Sequence, residues 1–268
     1  MTAPQGVRDS KRVLVTGAAH GIGAAIVRGC AKAGHRVVAV DIDGEGLSRL
    51  REELPGIETA MLDVRDLAAW QRVVEAAETQ GGAIDVLINN AGVCLPGPCD
   101  QVSAEDDRLT VEVNLVGVMH GVRATLPRFL ARKSGHVINV ASMAAFSPIP
   151  DLAAYSATKH AVRAYTHSCA LDHRHSPIEW TLVCPSAVET PMLKSMRKRR
   201  AGVLVFTEKP MPPDRIAGAI LDAIQRPRRE VLVPNARGKL LRFIGLFPGL
   251  LSRGMDQAEK RGMSALDD

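Results

Sequence analysis

Two hydrophobic periods alternate along the chain. Short, nearly continuous apolar runs recur at 11–17 (KRVLVTG), 35–41 (HRVVAVD), 57–64, 84–92, 135–142, 178–185 and 230–234. Runs of this length, bounded by turn residues, mark strands buried on both faces. Between them lie segments whose apolar residues fall three or four apart, at 21–34, 44–54, 67–82, 103–132, 151–174 and 213–226. That spacing predicts amphipathic helices. Gly34, Pro55 and Gly81-Gly82 supply stops. The long stretch 103–132 carries Gly117 and Pro127, where a bend is expected. Strand and helix therefore alternate without a long polar linker. The pattern predicts one doubly wound α/β domain over 1–268, with a parallel sheet of about seven strands and helices on both faces.

Composition narrows the class. Hydrophobic residues make up 46% and charged residues 24%, ordinary for a soluble globular chain. The N-terminal MTAPQGVRDSKR lacks the apolar stretch of a secretory signal. No uninterrupted apolar run approaches the ~18 residues a spanning helix needs. Five cysteines without regular spacing point to reduced thiols and a cytoplasmic location. Cys94 and Cys99 have no partner set for a metal and read as ordinary thiols. The net charge of +5 and the basic clusters at 194–200 and 225–230 suit a solvated basic face. Aromatics at 3% are too few for base-stacking platforms, so nucleic acid is not the expected partner.

The chemistry begins where the first strand runs into TGAAHGIG, with Thr16, Gly17, Gly21 and Gly23. Glycines there let the backbone turn tightly and approach a pyrophosphate, and the next helix offers its free N–H groups and dipole. The second strand ends in Asp41, a carboxylate placed to accept hydrogen bonds from adenosine ribose hydroxyls. The same charge repels the extra phosphate of NADP, and the residue before Gly21 is His20 rather than Arg or Lys. NAD is therefore expected over NADP. Tyr155 and Lys159 lie four residues apart in a helical segment, on one face. An ammonium one turn away should lower the tyrosine pKa from its usual value of about 10.

These residues, with DV (63–64), NNAG (89–92), Asn114, Ser142, YSATK (155–159) and PSAVET (185–190), resemble the classical short-chain dehydrogenase/reductase family from about residue 11 to 234. The resemblance implies a Rossmann-type fold and a catalytic set of Asn114, Ser142, Tyr155 and Lys159. Tyr155 would be the acid/base and Lys159 would tune it and bond the nicotinamide ribose. Ser142 would hold the substrate oxygen, and Asn114 would bend its helix and hold a relay water. The cofactor would be lined by Gly17, His20, Gly21, Ile22 and Gly23, then Asp41, Asp63 and Val64. Asn90, Ala91 and Gly92 would follow, and beyond the sixth strand Pro185, Val188 and Thr190. No metal is implied. One departure stands out: the family has Pro-Gly where this chain has Pro185-Ser186, which should reshape the nicotinamide side because glycine tolerates angles that serine does not.

The expected substrate is a lipophilic secondary alcohol or ketone, steroid- or retinoid-like. The pocket is expected from the segment after Pro185 together with VCLPGPCD (93–100) and MAAFSPIPDL (143–152), which carry few charges. Residues 190–212 correspond to the family's mobile substrate lid. The C-terminal extension from 235 contains GKLLRFIGLFPGLLSRGM (238–255), apolar with basic residues at its edges. Packing on a neighbouring subunit or capping of the pocket is favoured over a weak contact with a membrane surface. Family members assemble as homotetramers or dimers through helices corresponding to 103–132 and 151–174. The competing class is a catalytically idle NAD(H)-binding sensor; retention of both Tyr155 and Lys159 argues for the enzyme.

Overall fold

The computed structural model describes residues 10–196, 209–247 and Gly249. Seven strands form one parallel sheet: β1 (Arg12–Thr16), β2 (Arg36–Asp41), β3 (Glu58–Met61), β4 (Val86–Asn89), β5 (Gly135–Val140), β6 (Ile178–Pro185) and β7 (Glu230–Val233). Their order across the sheet is β3-β2-β1-β4-β5-β6-β7. In register, Val13 lies beside Val37 and Val86, and Val140 beside Val183. The expected strands are all present, but β3 and β4 are shorter than the apolar runs suggested. Asp63 and Val64 fall in the turn after β3, and Asn90 in the loop after β4.

The apolar runs are continuous because each strand feeds two cores. Val13 and Val15 point to one face, with Ile26 and Val27 of α1 (Gly21–Lys32), Leu47 and Leu50 of α2 (Gly44–Glu53) and Ile216 and Ile220 of α8 (Pro213–Gln225). Leu14, between them, points to the other face. It meets Trp70 and Val74 of α3 (Leu67–Gly81), Val122 and Phe129 of α5 (Gly117–Ala131) and Ala170 of α6 (Ala153–Asp172). Trp70 is fully buried and donates its indole N–H to Val64 O at 3.1 Å. A buried polar thread crosses this face: Asn89 donates to Asn139 Oδ1 at 2.9 Å, and Asn139 donates to Thr166 Oγ1 at 2.9 Å. It ties β4, β5 and α6 together with each amide satisfied.

The long segment expected as one bent helix is three pieces. α4 (Ala104–Val111) runs into a π-helical turn (Glu112–Val116), and α5 follows. The Gly117 N–H reaches back to Glu112 O, five residues earlier. Pro127 sits inside α5 without ending it. The wide turn brings Asn114 to zero exposure, so the departure from regular helix serves an inward-facing side chain.

Two helices were not expected from the pattern. α7 (Pro191–Met196) follows β6, and α9 (Asn235–Ile244) follows β7. Residues 197–208 of the expected lid, and the extension beyond Phe247 apart from Gly249, lie outside the described residues.

Candidate active site

Strand order sets the position of the site. β1 leads outward to β2 on one side, while β4 continues the sheet towards β5 on the other, so β1 and β4 flank the point where the strand order reverses. Such a switch point at the carboxyl edge is where open α/β sheets bind ligands.

The loop after β1 is built for close approach. Gly17 has φ +62°, and a Cβ there would meet Ala91 Cα at 2.8 Å. A Cβ on Gly23 would run into the Gly17 carbonyl. Thr16 Oγ1 accepts from the N–H groups of Asn90 and Ala91 at 2.9 and 3.0 Å, and the Asn90 amide donates back to Thr16 O at 2.9 Å. The two loops are thus bolted together, with Asn90 as a strut. His20 caps α1 without a side-chain bond, and the first turn holds no acid. The N–H groups of Gly21, Ile22 and Gly23 have no carbonyl within the helix and face an anion site. Ile22 packs its side chain on the first core. This cradle fits a pyrophosphate.

Asp41 stands beside it. Its carboxylate accepts from Ala19 N–H at 2.9 Å and Asp43 N–H at 3.0 Å. His20 is turned away from the crevice's phosphate end: its Nε2 donates to Asp43 Oδ2 at 2.6 Å. The Gly46 N–H, and then His20, hold the Asp43 carboxyl below its ordinary value. Two carboxylates therefore stand side by side here, and the nearby imidazole is paired with one of them.

The adenine end differs from the simple expectation. Arg65 clamps the Asp63 carboxylate with Nε and Nη2, at 3.0 and 2.6 Å, and this bond pulls the Asp63 pKa down. Asp63 therefore enters the crevice as half of an ion pair. Beside it lies a cleft of about 380 Å³ lined by Asp63, Arg65, Asp66, Glu112 and Val116. Val64 is buried, and its carbonyl accepts from Trp70.

The reactive end lies where β5, the π turn and α6 meet. Ser142 follows β5 in extended backbone; its hydroxyl accepts from Ala144 N–H at 3.1 Å and hydrogen bonds with the Tyr155 phenol. Lys159 is buried, with Nζ 5.5 Å from the Tyr155 ring centroid and donating to Val140 O at 3.3 Å. Burial pushes the Tyr155 phenol up, against the pull of Ser142, and pushes Lys159 down to about 8. The expected lowering of the tyrosine by the lysine is thus absent in the protein alone. Desolvation is the largest influence on the phenol, and Cys94 adds to it.

Asn114 accepts from Val93 N–H at 2.8 Å through Oδ1. Its Nδ2 donates to Val93 O at 2.9 Å and Thr158 Oγ1 at 3.3 Å. It holds the strand end after Gly92 and, through Thr158, the turn of Tyr155, whose carbonyl accepts the Thr158 hydroxyl at 2.7 Å. Pro185 closes β6. Ser186 lies outside the left-handed region, and its N–H bonds Val233 O at 2.8 Å. Serine therefore fits this position without backbone strain. Val188 forms an isolated parallel β-bridge with Met211. Thr190 Oγ1 accepts from Leu193 N–H at 3.2 Å, and a Cβ on Gly21 would meet Thr190 Cγ2 at 3.0 Å. Gly21 and Thr190, both expected to line the cofactor, thus lie close together.

The apolar cluster beside Tyr155 draws on the three segments expected to form the substrate pocket, though its individual residues were not named from the sequence. Cys94, Leu152 and Leu193 are buried together, and Ile149, Tyr155, Ala187 and Met192 pack against them. They come from three separate segments, the loop near 93–100, the 143–152 stretch and the segment after Pro185. All cysteines are free thiols, and burial raises Cys94 and Cys184 to about 12.

Switch-point cradle, ribose-side carboxylate and tyrosine–lysine pair define a dinucleotide-binding protein of the Rossmann type. Comparison with known proteins makes the class specific. Residues 11–201 match the family model described as short chain dehydrogenase. The chain is 32% identical over 244 residues to the oxidoreductase UcpA of Escherichia coli K12, covering 89% of each chain. A short chain dehydrogenase/reductase from Burkholderia phymatum in complex with NAD superposes with a TM-score of 0.80 at 28% identity, over 89% of this chain and 94% of that one. A single-site variant of actinorhodin polyketide ketoreductase with NADPH superposes at 0.78 with 29% identity, over 84% and 96%. The chain belongs to the short-chain dehydrogenase/reductase family, and it is an oxidoreductase that uses a nicotinamide cofactor.

Proposed function

We propose that the protein transfers hydride between NAD and a lipophilic secondary alcohol or ketone. The apolar wall of Cys94, Ile149, Leu152, Ala187, Met192 and Leu193 around Tyr155 carries the substrate class. A sugar or phosphorylated acid would leave its polar groups unpaired there. The likeness to a polyketide ketoreductase agrees with this class.

The residues present fit a nicotinamide dinucleotide. Gly21, Ile22 and Gly23 offer backbone N–H groups to its pyrophosphate, and Asp41 offers its carboxylate to the adenosine ribose. Thr190 lies against Gly21, where a hydroxyl suits the carboxamide. When bound, the nicotinamide accepts or donates a hydride at the substrate carbon. Ser142 holds the substrate oxygen. Tyr155 moves the proton: it takes the hydroxyl proton in oxidation and returns it in reduction. The protonated phenol favoured by burial is the form that donates to a carbonyl. Lys159 offsets the negative charge that Tyr155 gains on donating. Asn114 keeps the Val93 backbone and the Tyr155 turn in place.

NAD is preferred over NADP because Asp41 and Asp43 both face the ribose end and His20 is committed to Asp43. Leu130 and Leu171, exposed at the ends of α5 and α6, suit the expected assembly through these helices. The deciding assay is NADH formation with a panel of lipophilic secondary alcohols, steroids and retinol, beside Tyr155→Phe. Turnover that disappears in the variant supports the enzyme. Silence across the panel with NADH still bound moves the sensor reading to first place.

A further inference from the structure

Helix α9 packs its inner face on the domain. A Cβ on Gly238 would meet Leu232 Cβ at 2.6 Å, and one on Gly245 would run into the Phe146 carbonyl. Leu241 packs against the core cluster that contains Phe146 and Cys184. Arg242 is ion-paired with Glu230 and lies over the Phe146 ring, 5.2 Å from its centroid. The helix is therefore fixed in one orientation by close contacts and a partnered cation.

Its outer face, and the turn that follows it, have no such cover. Leu240 is 56% exposed, Phe243 61%, Leu246 70% and Phe247 47%. They are four of the nine large exposed apolar side chains among the described residues, gathered within eight positions. Leu240, Phe243 and Phe247 follow one stripe, and the rings of Phe243 and Phe247 are 5.4 Å apart. Lys239 is exposed beside the stripe. From Asn235 to Met255 the sequence holds four cations, Arg237, Lys239, Arg242 and Arg253, and no acid.

We propose that α9 seats the protein on an anionic lipid surface, with Leu240, Phe243, Leu246 and Phe247 entering the interface. Apolar side chains beside cations, on a helix with no acidic residue, match the boundary between acyl chains and negative headgroups. A second copy of the chain matches less well. A two-fold contact through this face would set the same cation-rich segment against itself. The helix lies on the surface rather than through it: no helix among the described residues is long and apolar enough to cross a membrane. The domain already fixes the inner face, so the stripe is held outward before it meets lipid. Binding therefore needs little ordering of this helix.

The test is sedimentation of the full chain with vesicles of equal parts phosphatidylglycerol and phosphatidylcholine, against phosphatidylcholine alone. The expected result is capture by the anionic vesicles, falling with salt. A Leu240→Ser, Phe243→Ser variant should bind about tenfold more weakly or worse. Lys239→Glu should weaken binding less, by several-fold. All three side chains are exposed, and a thermal melt checks that each variant is folded. No capture by anionic vesicles overturns the proposal, as does capture that survives the double serine variant. A lipid-free oligomer dispersed by that variant, with no vesicle capture, assigns the face to a second copy instead. None of these outcomes depends on turnover, so they are separable from failure of the proposed activity.

Discussion

At the scale of single residues, the site is governed by burial as much as by charge. Tyr155→Phe removes one hydroxyl from a packed pocket, so the fold should persist and NADH should still bind. Turnover should drop by about 10²–10⁴-fold, the usual worth of a positioned acid/base; steady-state rates beside an NADH titration check it. Lys159 is protonated below about pH 8 and neutral above it, because burial lowers its pKa. Its charge offsets the phenolate only in the protonated form. In carbonyl reduction, kcat/KM should therefore be level below about pH 8 and fall above it. Lys159→Met should lie low throughout without that step, and an unmoved step would assign it to another group. Asp41→Ser removes the ribose-side charge. The ratio of Michaelis constants for NADP and NAD should fall by about tenfold or more, since a like charge at a phosphate costs several-fold to many-fold in affinity. These residues were legible in the sequence because each sits in a short linear motif. The clamp of Arg65 on Asp63 was not, since it concerns which of two neighbours a carboxylate prefers once the turn has formed.

At the scale of elements, periodicity was enough to order the strands and helices. Both faces of the sheet are covered, and a strand such as β1 must then be apolar at every position. The π turn was not legible. Its signature is one extra residue in a hydrogen-bonded ring, and Glu112–Val116 has the same kind of composition as a regular helix. What selects it is Asn114, whose amide finds Val93 and Thr158 only when turned inward. The expected water-holding bend and the observed clamp are compatible roles for one amide. Asn114→Ala strands the Val93 N–H and C=O, while the Thr158 hydroxyl keeps its bond to Tyr155 O. A cost of about 2–4 kcal/mol follows from leaving buried polar groups unpaired, to be read from urea unfolding. NADH affinity should weaken as well, because Val93 follows the Ala91–Gly92 segment that faces the glycine loop. Unchanged stability would mean that the turn re-forms with water in place of the amide. The apolar wall near Tyr155 likewise has no linear signature: Cys94, Leu152 and Leu193 converge only after β4, β5 and β6 are in register.

At the scale of the whole molecule, the parallel sheet carries a buried histidine whose protonation is linked to folding. His136 lies in β5, almost fully buried, with Nε2 2.8 Å from Thr181 Oγ1 in β6. Burial lowers its pKa to about 4, from 6.5 when unfolded. Desolvation likewise lowers His35 and His167, so all three shift in the same direction. Above pH 6.5 neither state binds the proton, and His136 adds no pH dependence. Between pH 6.5 and about 4 the unfolded chain takes up a proton that the folded chain refuses, so stability falls as pH falls. The full shift corresponds to about 3 kcal/mol for His136, at about 1.4 kcal/mol for each unit. The carboxylates with lowered values, Asp43, Glu53 and Asp63, lose their contribution at lower pH, beginning near their ordinary values. The upper part of the acid limb thus belongs mainly to the histidines. Urea unfolding at steps through this window should give a positive slope of stability with pH, and His136→Gln should flatten it while keeping a polar partner for Thr181. If the variant keeps the full slope, His136 is protonated in the folded sheet and the packing of β5 on β6 admits more water than its burial implies.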